Sequence, residues 1–96
     1  MSQLTLVSTS ERPLKPLVEG ALSNELRSLE AAINIAERHI GEFETKYRMS
    51  TAEFIRRFEN DEIEESLDLD DWIGEHRLLE RLREKAQALR EIAFAN

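Results

Sequence analysis

From Leu22 to Tyr47 apolar residues recur at alternating spacings of four and three: Leu22, Leu26, Leu29, Ile33, Ala36, Ile40, Phe43, Tyr47. A repeat of 3.5 residues keeps one seam of an α-helix turned toward a partner helix, as in a coiled coil or a long antiparallel hairpin. Contact with other helices is therefore what this segment is built for. Leu22, Leu26, Leu29, Ile33, Ala36 and Ile40 form the candidate seam for a dimer or partner helix.

The surrounding composition agrees with a helical chain. Glycine occurs only at Gly20, Gly41 and Gly74, proline only at Pro13 and Pro16, and Leu, Glu, Arg and Ala dominate. Ninety-six residues make one domain, near the lower end of what folds on its own core. The net charge is −7, from 20 acids against 13 bases. Such a chain lacks the electrostatic footprint of a protein that neutralises phosphates, which disfavours DNA as a partner. The absence of cysteine excludes a disulfide framework and cysteine-ligated zinc, and fits a reducing cytoplasm. Met1 to Pro13 does not read as a signal peptide, and the apolar runs are too short to span a bilayer. A cytoplasmic protein without membrane association is the expectation.

Along the chain, residues 1–16 read as an N-terminal arm and 17–96 as a helical hairpin domain. In the arm Gln3, Leu4, Thr5, Leu6 and Val7 have the character of a short β-strand. A lone strand is unstable in water. Its simplest partner is its twin in a second copy, forming a β-ribbon; the alternative is a frayed terminus. Pro16 suits the first position of a helix running from about Leu17 to about Tyr47. Thirty residues at a 1.5 Å rise make a rod of roughly 45 Å. That is long against the radius of gyration of about 13 Å of a compact 100-residue domain. The molecule should be elongated, with part of the stripe covered by another chain in a homodimer. Glu42 with Lys46 and Glu44 with Arg48 are spaced as helical i,i+4 ion pairs.

Ser50-Thr51-Ala52-Glu53 is a capping box, opening a short helix with Phe54, Ile55 and Phe58 on one face. Asn60 is placed to end it in the left-handed conformation. Asp61 to Asp71 then holds seven acids and no base. Asp68 reads as the N-cap of a last helix from about Leu69 to about Ala93, striped by Leu69, Trp72, Ile73, His76, Leu79, Leu82, Ala86, Leu89 and Ala93. The fold expected is all-α: an elongated antiparallel hairpin with a corner helix and a short N-terminal strand, dimeric. Phe43 and Tyr47 should lie near Trp72, and Leu22 near Leu89.

Phe43, Tyr47, Phe54, Phe58 and Trp72 gather five of the six aromatics into one stretch. Their helical spacing favours a core locking the hairpin tip over an exposed interface patch. Asp61, Glu62, Glu64 and Glu65 form a candidate acidic patch for a basic partner. They lack the pattern of a calcium loop. His39 and His76 have no spacing typical of a metal site and read as hydrogen-bonded structural residues. No triad or phosphate loop is present, so neither catalytic residues, nor a cofactor, nor a metal is expected. A strand pairing across a dimer ahead of a helix resembles the ribbon-helix-helix plan, but the helix that follows is too long for it.

Tyr47-Arg48-Met49-Ser50-Thr51-Ala52-Glu53-Phe54-Ile55-Arg56-Arg57-Phe58-Glu59, followed by Asp68 to Trp72, resembles a group of small helical prokaryotic proteins. Their pattern is Tyr-Gly-Met-Ser-x-x-Glu-Phe-x-x-x-Phe-Glu, an acidic turn, then Asp and Trp opening a final helix. Some look like antitoxins encoded beside TumE-type toxins (TumA-like). The resemblance covers about residues 40 to 92. Arg48 stands where that pattern has Gly, and Asn60-Asp61-Glu62-Ile63 replaces its glycine-containing turn. What the resemblance implies is a non-enzymatic protein-binding module, an antitoxin that neutralises a partner toxin by direct binding. The alternatives are a DNA-binding autoregulator using the N-terminal ribbon and a purely structural assembly protein.

Overall fold

The structure, a computed structural model, describes residues 1–95; Asn96, included in the hairpin domain expected from sequence, lies outside them. Three helices follow in order: α1 (Leu14–Tyr47), α2 (Thr51–Glu59) and α3 (Leu67–Arg90). The two long helices fold back on each other as an antiparallel hairpin, and α2 sits across its closed end.

The stripe from Leu22 to Tyr47 is what α1 turns inward. Leu29, Ala36 and Ile40 are buried, and the other positions of the stripe are half-buried. On α3 the corresponding stripe buries Leu69, Trp72, Leu79 and Ala86. One core cluster joins the helices: Ala36 and Ile40 of α1, Phe54 of α2, and Leu69, Trp72 and Leu79 of α3. It lies toward the tip, so the hairpin is held most firmly where it turns. The molecule measures 60 × 24 × 17 Å with a radius of gyration of 19.1 Å, against about 13 Å for a compact chain of this length. The elongation expected from helix length is present within one chain.

The helix boundaries refine the sequence reading. α1 begins at Leu14, with Pro13 as its N-cap residue, so Pro16 occupies the third helical position, inside the first turn where no intrahelical N–H bond is lost. α1 ends at Arg48, whose φ of 50° and ψ of 48° are left-handed. The Arg48 and Met49 amides both donate to the Glu44 carbonyl, closing the last turn. α2 ends at Glu59, as expected, but the left-handed residue that follows it comes one position later than Asn60. Asn60 has φ −98°, and Asp61 takes the left-handed position at φ 54°. Glu62 N donates to the Arg57 carbonyl at 2.9 Å and Asp61 N to that of Phe58 at 3.3 Å, the paired bonds of a Schellman ending. Asn60 contributes through its side chain, whose Nδ2 donates to the Arg56 carbonyl at 2.7 Å.

α3 is capped by Ser66, whose Oγ accepts from Leu69 N at 3.2 Å; Asp68, expected there, lies in the first turn and is free for another task. α3 stops at Arg90, short of Ala93.

The expected β-strand at Gln3, Leu4, Thr5, Leu6 and Val7 is not present: among the described residues there is no strand, and these five side chains are exposed. The physical reason is the one that made it conditional, since the chain offers its ladder groups no second strand. In the linker that follows, Ser8 Oγ accepts from Ser10 N at 3.0 Å and Ser10 Oγ from Arg12 N at 3.1 Å. These local turns occupy the amides of Ser10 and Arg12 just ahead of α1.

Candidate functional site

The tip is built around Trp72. Its ring lies 4.0 Å from that of Phe54, 5.7 Å from Phe43 and 5.9 Å from Tyr47, all near-parallel, and Phe58 packs on Phe54 at 5.9 Å with a 58° tilt. Trp72 and Phe54 have no exposed surface. The five aromatics expected at the tip therefore form a core, drawn from all three helices.

Burying the indole requires a partner for its N–H. Trp72 Nε1 donates to Thr51 Oγ1 at 3.0 Å, and Thr51 Oγ1 donates to Glu44 Oε2 at 2.9 Å. The same Glu44 oxygen accepts from Thr51 N at 2.7 Å, satisfying a free amide in the first turn of α2. One hydroxyl thus links α3 to α1 through the start of α2. Glu44 is spent on this task, and the expected pairing with Arg48 does not form. Only half of the capping box operates. Ser50 Oγ accepts from Glu53 N at 3.1 Å, while the Glu53 carboxylate turns outward to hold Arg56 at 2.9 Å and Arg57 at 2.8 Å. Those two guanidiniums pull the Glu53 carboxyl down to about 2.

A second polar cluster closes the flank of the tip. Tyr47 Oη donates to Asp68 Oδ2 at 2.7 Å, and Lys46 Nζ reaches the same oxygen. Both hold the Asp68 carboxyl below its usual range, the lysine contact being the larger cause. Reciprocally, the hydrogen bond to Asp68 raises the Tyr47 phenol and the Lys46 ammonium. Lys46 is therefore committed across the hairpin, and its expected partner Glu42 is left open.

Beside this cluster a shallow groove of about 750 Å³ runs between α1 and α3. Phe43, Gly74 and Leu78 supply its apolar floor; His39, Glu42, Lys46, Asp68, Asp70, Asp71, Glu75 and Arg81 line the rest. His39 Nδ1 and Glu75 Oε1 lie 3.1 Å apart and tie the two walls. Among the described residues Glu42, Asp70 and Asp71 make no ion pair, so carboxylates dominate the rim. A Cβ built on Gly74 meets nothing within 4 Å. Packing does not require glycine there, although glycine in a helix interior costs about 1 kcal/mol relative to alanine.

The structure separates the residues singled out in the sequence. Leu29, Ala36 and Ile40 of the candidate seam are buried in a single chain, and Leu22, Leu26 and Ile33 half-buried, so the chain's own hairpin occupies the seam. Asp61, Glu62, Glu64 and Glu65 are exposed in the α2–α3 connection, with Glu62 held by Arg56 at 3.1 Å. His39 belongs to the groove, whereas His76 pairs along its own helix with Glu80. Among the described residues no group of three His, Cys, Asp or Glu side chains could hold a metal ion. No helix among them is long and apolar enough to cross a membrane. The groove itself went unread in the sequence. Its signals were a helical glycine at Gly74, three residues before and four after which stand Asp71 and Leu78, and the acidic pair Asp70-Asp71.

Comparison with family models, with curated proteins and with solved structures returns no match.

Proposed function

We propose that the chain is a non-enzymatic protein-binding module whose acidic groove takes a basic segment of a partner protein. The observation that carries this reading is the groove at Gly74: an apolar floor of Phe43 and Leu78 beneath a rim where, among the described residues, Glu42, Asp70 and Asp71 have no cationic partner of their own. Carboxylates set around an apolar strip suit a partner that presents a lysine or arginine beside an apolar anchor. The exposed acids Asp61, Glu62, Glu64 and Glu65 extend the negative field from the same end of the molecule and would steer such a partner toward it. The resemblance of residues 40 to 92 to TumA-like antitoxins makes a toxin the partner to test first. It also makes direct masking, rather than catalysis, the mode of action.

The test is co-expression with the product of the adjacent gene. The expected result is a complex that co-purifies, relieves toxicity and weakens as salt rises. Gly74→Ala separates binding from folding. It should raise the stability of α3 by about 1 kcal/mol while narrowing the groove floor, so that binding falls as folding improves. If no complex forms and toxicity is unchanged, the antitoxin reading fails. If the complex forms but is indifferent to Gly74→Ala and to Asp71→Lys, the partner sits elsewhere.

A further inference from the structure

The end of the hairpin opposite the tip differs from the rest of the molecule in two independent ways. The first is apolar exposure. Of ten large apolar side chains left exposed among the described residues, four lie in the arm that enters α1 at this end, and Leu17, Ile92 and Phe94 lie beside it. Leu17 is 58% exposed on α1, and Leu4 and Val7 are 83% and 90% exposed in the arm. The cause is a mismatch of length. α3 stops at Arg90, and its last ties to α1 are Lys85 with Glu25 and Arg90 with Glu30, each at 3.3 Å. Upstream of Glu25, α1 continues for about three turns with no helix beside it. The non-helical residues 91–95 bring Phe94 to within 5.9 Å of Lys15 and leave the face partly open.

The second is charge. Residues 1–30 and 83–95 together carry six acids and six bases, net zero, whereas residues 31–82 carry fourteen acids and seven bases, the whole net charge of −7. An apolar face of this kind marks an interaction surface, and the charge distribution selects the occupant. A strongly charged partner finds no steering field at a neutral end. A second copy approaching side by side, or tip first, would bring two −7 regions together. A second copy approaching base first meets no net repulsion.

We propose that two copies of the chain associate base to base, covering Leu17, Ile92 and Phe94, with the acidic tips pointing away from each other. A two-fold interface of this type is closed. It leaves both grooves open to a partner, and it does not depend on what the groove binds.

The test is size-exclusion chromatography with small-angle X-ray scattering on the full chain. Two 60 Å molecules overlapping by three helical turns give a particle about 100 Å long, whereas side-by-side association leaves it near the length of one. The dimer should be insensitive to salt. Leu17→Glu combined with Ile92→Glu should weaken self-association at least about a hundredfold with helical content unchanged, since both side chains are already exposed. Asp71→Lys at the tip should leave the dimer intact. A monomer at high micromolar concentration, a dimer no longer than one molecule, or an elongated dimer that survives the double substitution would each overturn the proposal.

Discussion

Thr51 shows how much a single hydroxyl can decide. It accepts a hydrogen bond from the indole N–H of a fully buried Trp72 and donates its own O–H to Glu44. Thr51→Val keeps the shape of the side chain but leaves the indole N–H with no acceptor in a dry site. That should cost about 1–3 kcal/mol, while Thr51→Ser, which retains the hydroxyl, should cost less. Trp72 is the only tryptophan, so its fluorescence in urea titrations reports the difference; equal midpoints for the two variants would remove the relay from the account of the tip. The carboxylates at the tip set a pH dependence of definite sign. Asp68 and Glu53 are more acidic in the folded state than in the unfolded chain. Their stabilisation is complete above the ordinary carboxylate range and lost as pH falls through the folded values. For Glu53 that window runs from about 4.5 down to about 2. The Tyr47 phenol has the opposite sense. Its folded value is raised, so its contribution is complete below 10 and lost as pH rises through that raised value. Thermal melts should therefore show a plateau at neutral pH with an acid limb that flattens in Asp68→Asn and Glu53→Gln. An unchanged limb in the double variant would assign acid unfolding to other groups.

The elements meet at two left-handed residues, Arg48 and Asp61, neither of them glycine. The left-handed conformation costs a side-chain-bearing residue roughly 1–2 kcal/mol, part of which glycine would return as entropy of the unfolded chain. Arg48→Gly should consequently stabilise the α1–α2 corner by about 0.5–1 kcal/mol, read as a raised urea midpoint; a lowered midpoint would mean that the arginine side chain contributes something its strain conceals. The same corner shows where sequence was a sufficient guide and where it was not. The 3.5-residue stripe, the Ser50 cap and the approach of Phe43 and Tyr47 to Trp72 were legible, because each follows from short-range periodicity or from register along two matched rods. The Glu44–Thr51–Trp72 relay was not. Glu44 also had a textually nearer partner in Arg48, and only the left-handed turn at Arg48 swings the start of α2 back over it. Asp68 was misread for a related reason: as an N-cap it was chemically suitable, but Ser66 opens the helix two residues earlier and hands Asp68 to Tyr47 and Lys46. The arm failed as a strand because strand formation is a property of a pair. The groove was invisible because its lining comes from both α1 and α3, and no spacing within either helix encodes how the two meet.

At the scale of the whole molecule, the hairpin is firm at one end and loose at the other. Trp72, Phe54, Leu69 and Ile40 lie in one buried cluster near the turn, and polar ties at Glu44 and Asp68 reinforce it. Toward the base the buried positions thin to Leu29 and Ala86, and beyond Glu25 the cross-helix ion pairs end. Those pairs are exposed and contribute little, on the order of 0–1 kcal/mol each. Helical segments of three turns without a packed face are marginal in water, so opening should be local and graded rather than uniform. Amide hydrogen exchange in dilute solution should be slowest in Ile40–Tyr47 and Leu69–Leu79 and progressively faster from Leu29 toward Leu14. Uniform protection along α1 would contradict the gradient. Concentration then becomes a second variable. If base-to-base association covers Leu17 and its neighbours, raising the protein concentration should slow exchange over residues 14–24 while leaving the tip unchanged. Slowing that spreads along the length of α1 would instead place the second copy against the side of the hairpin.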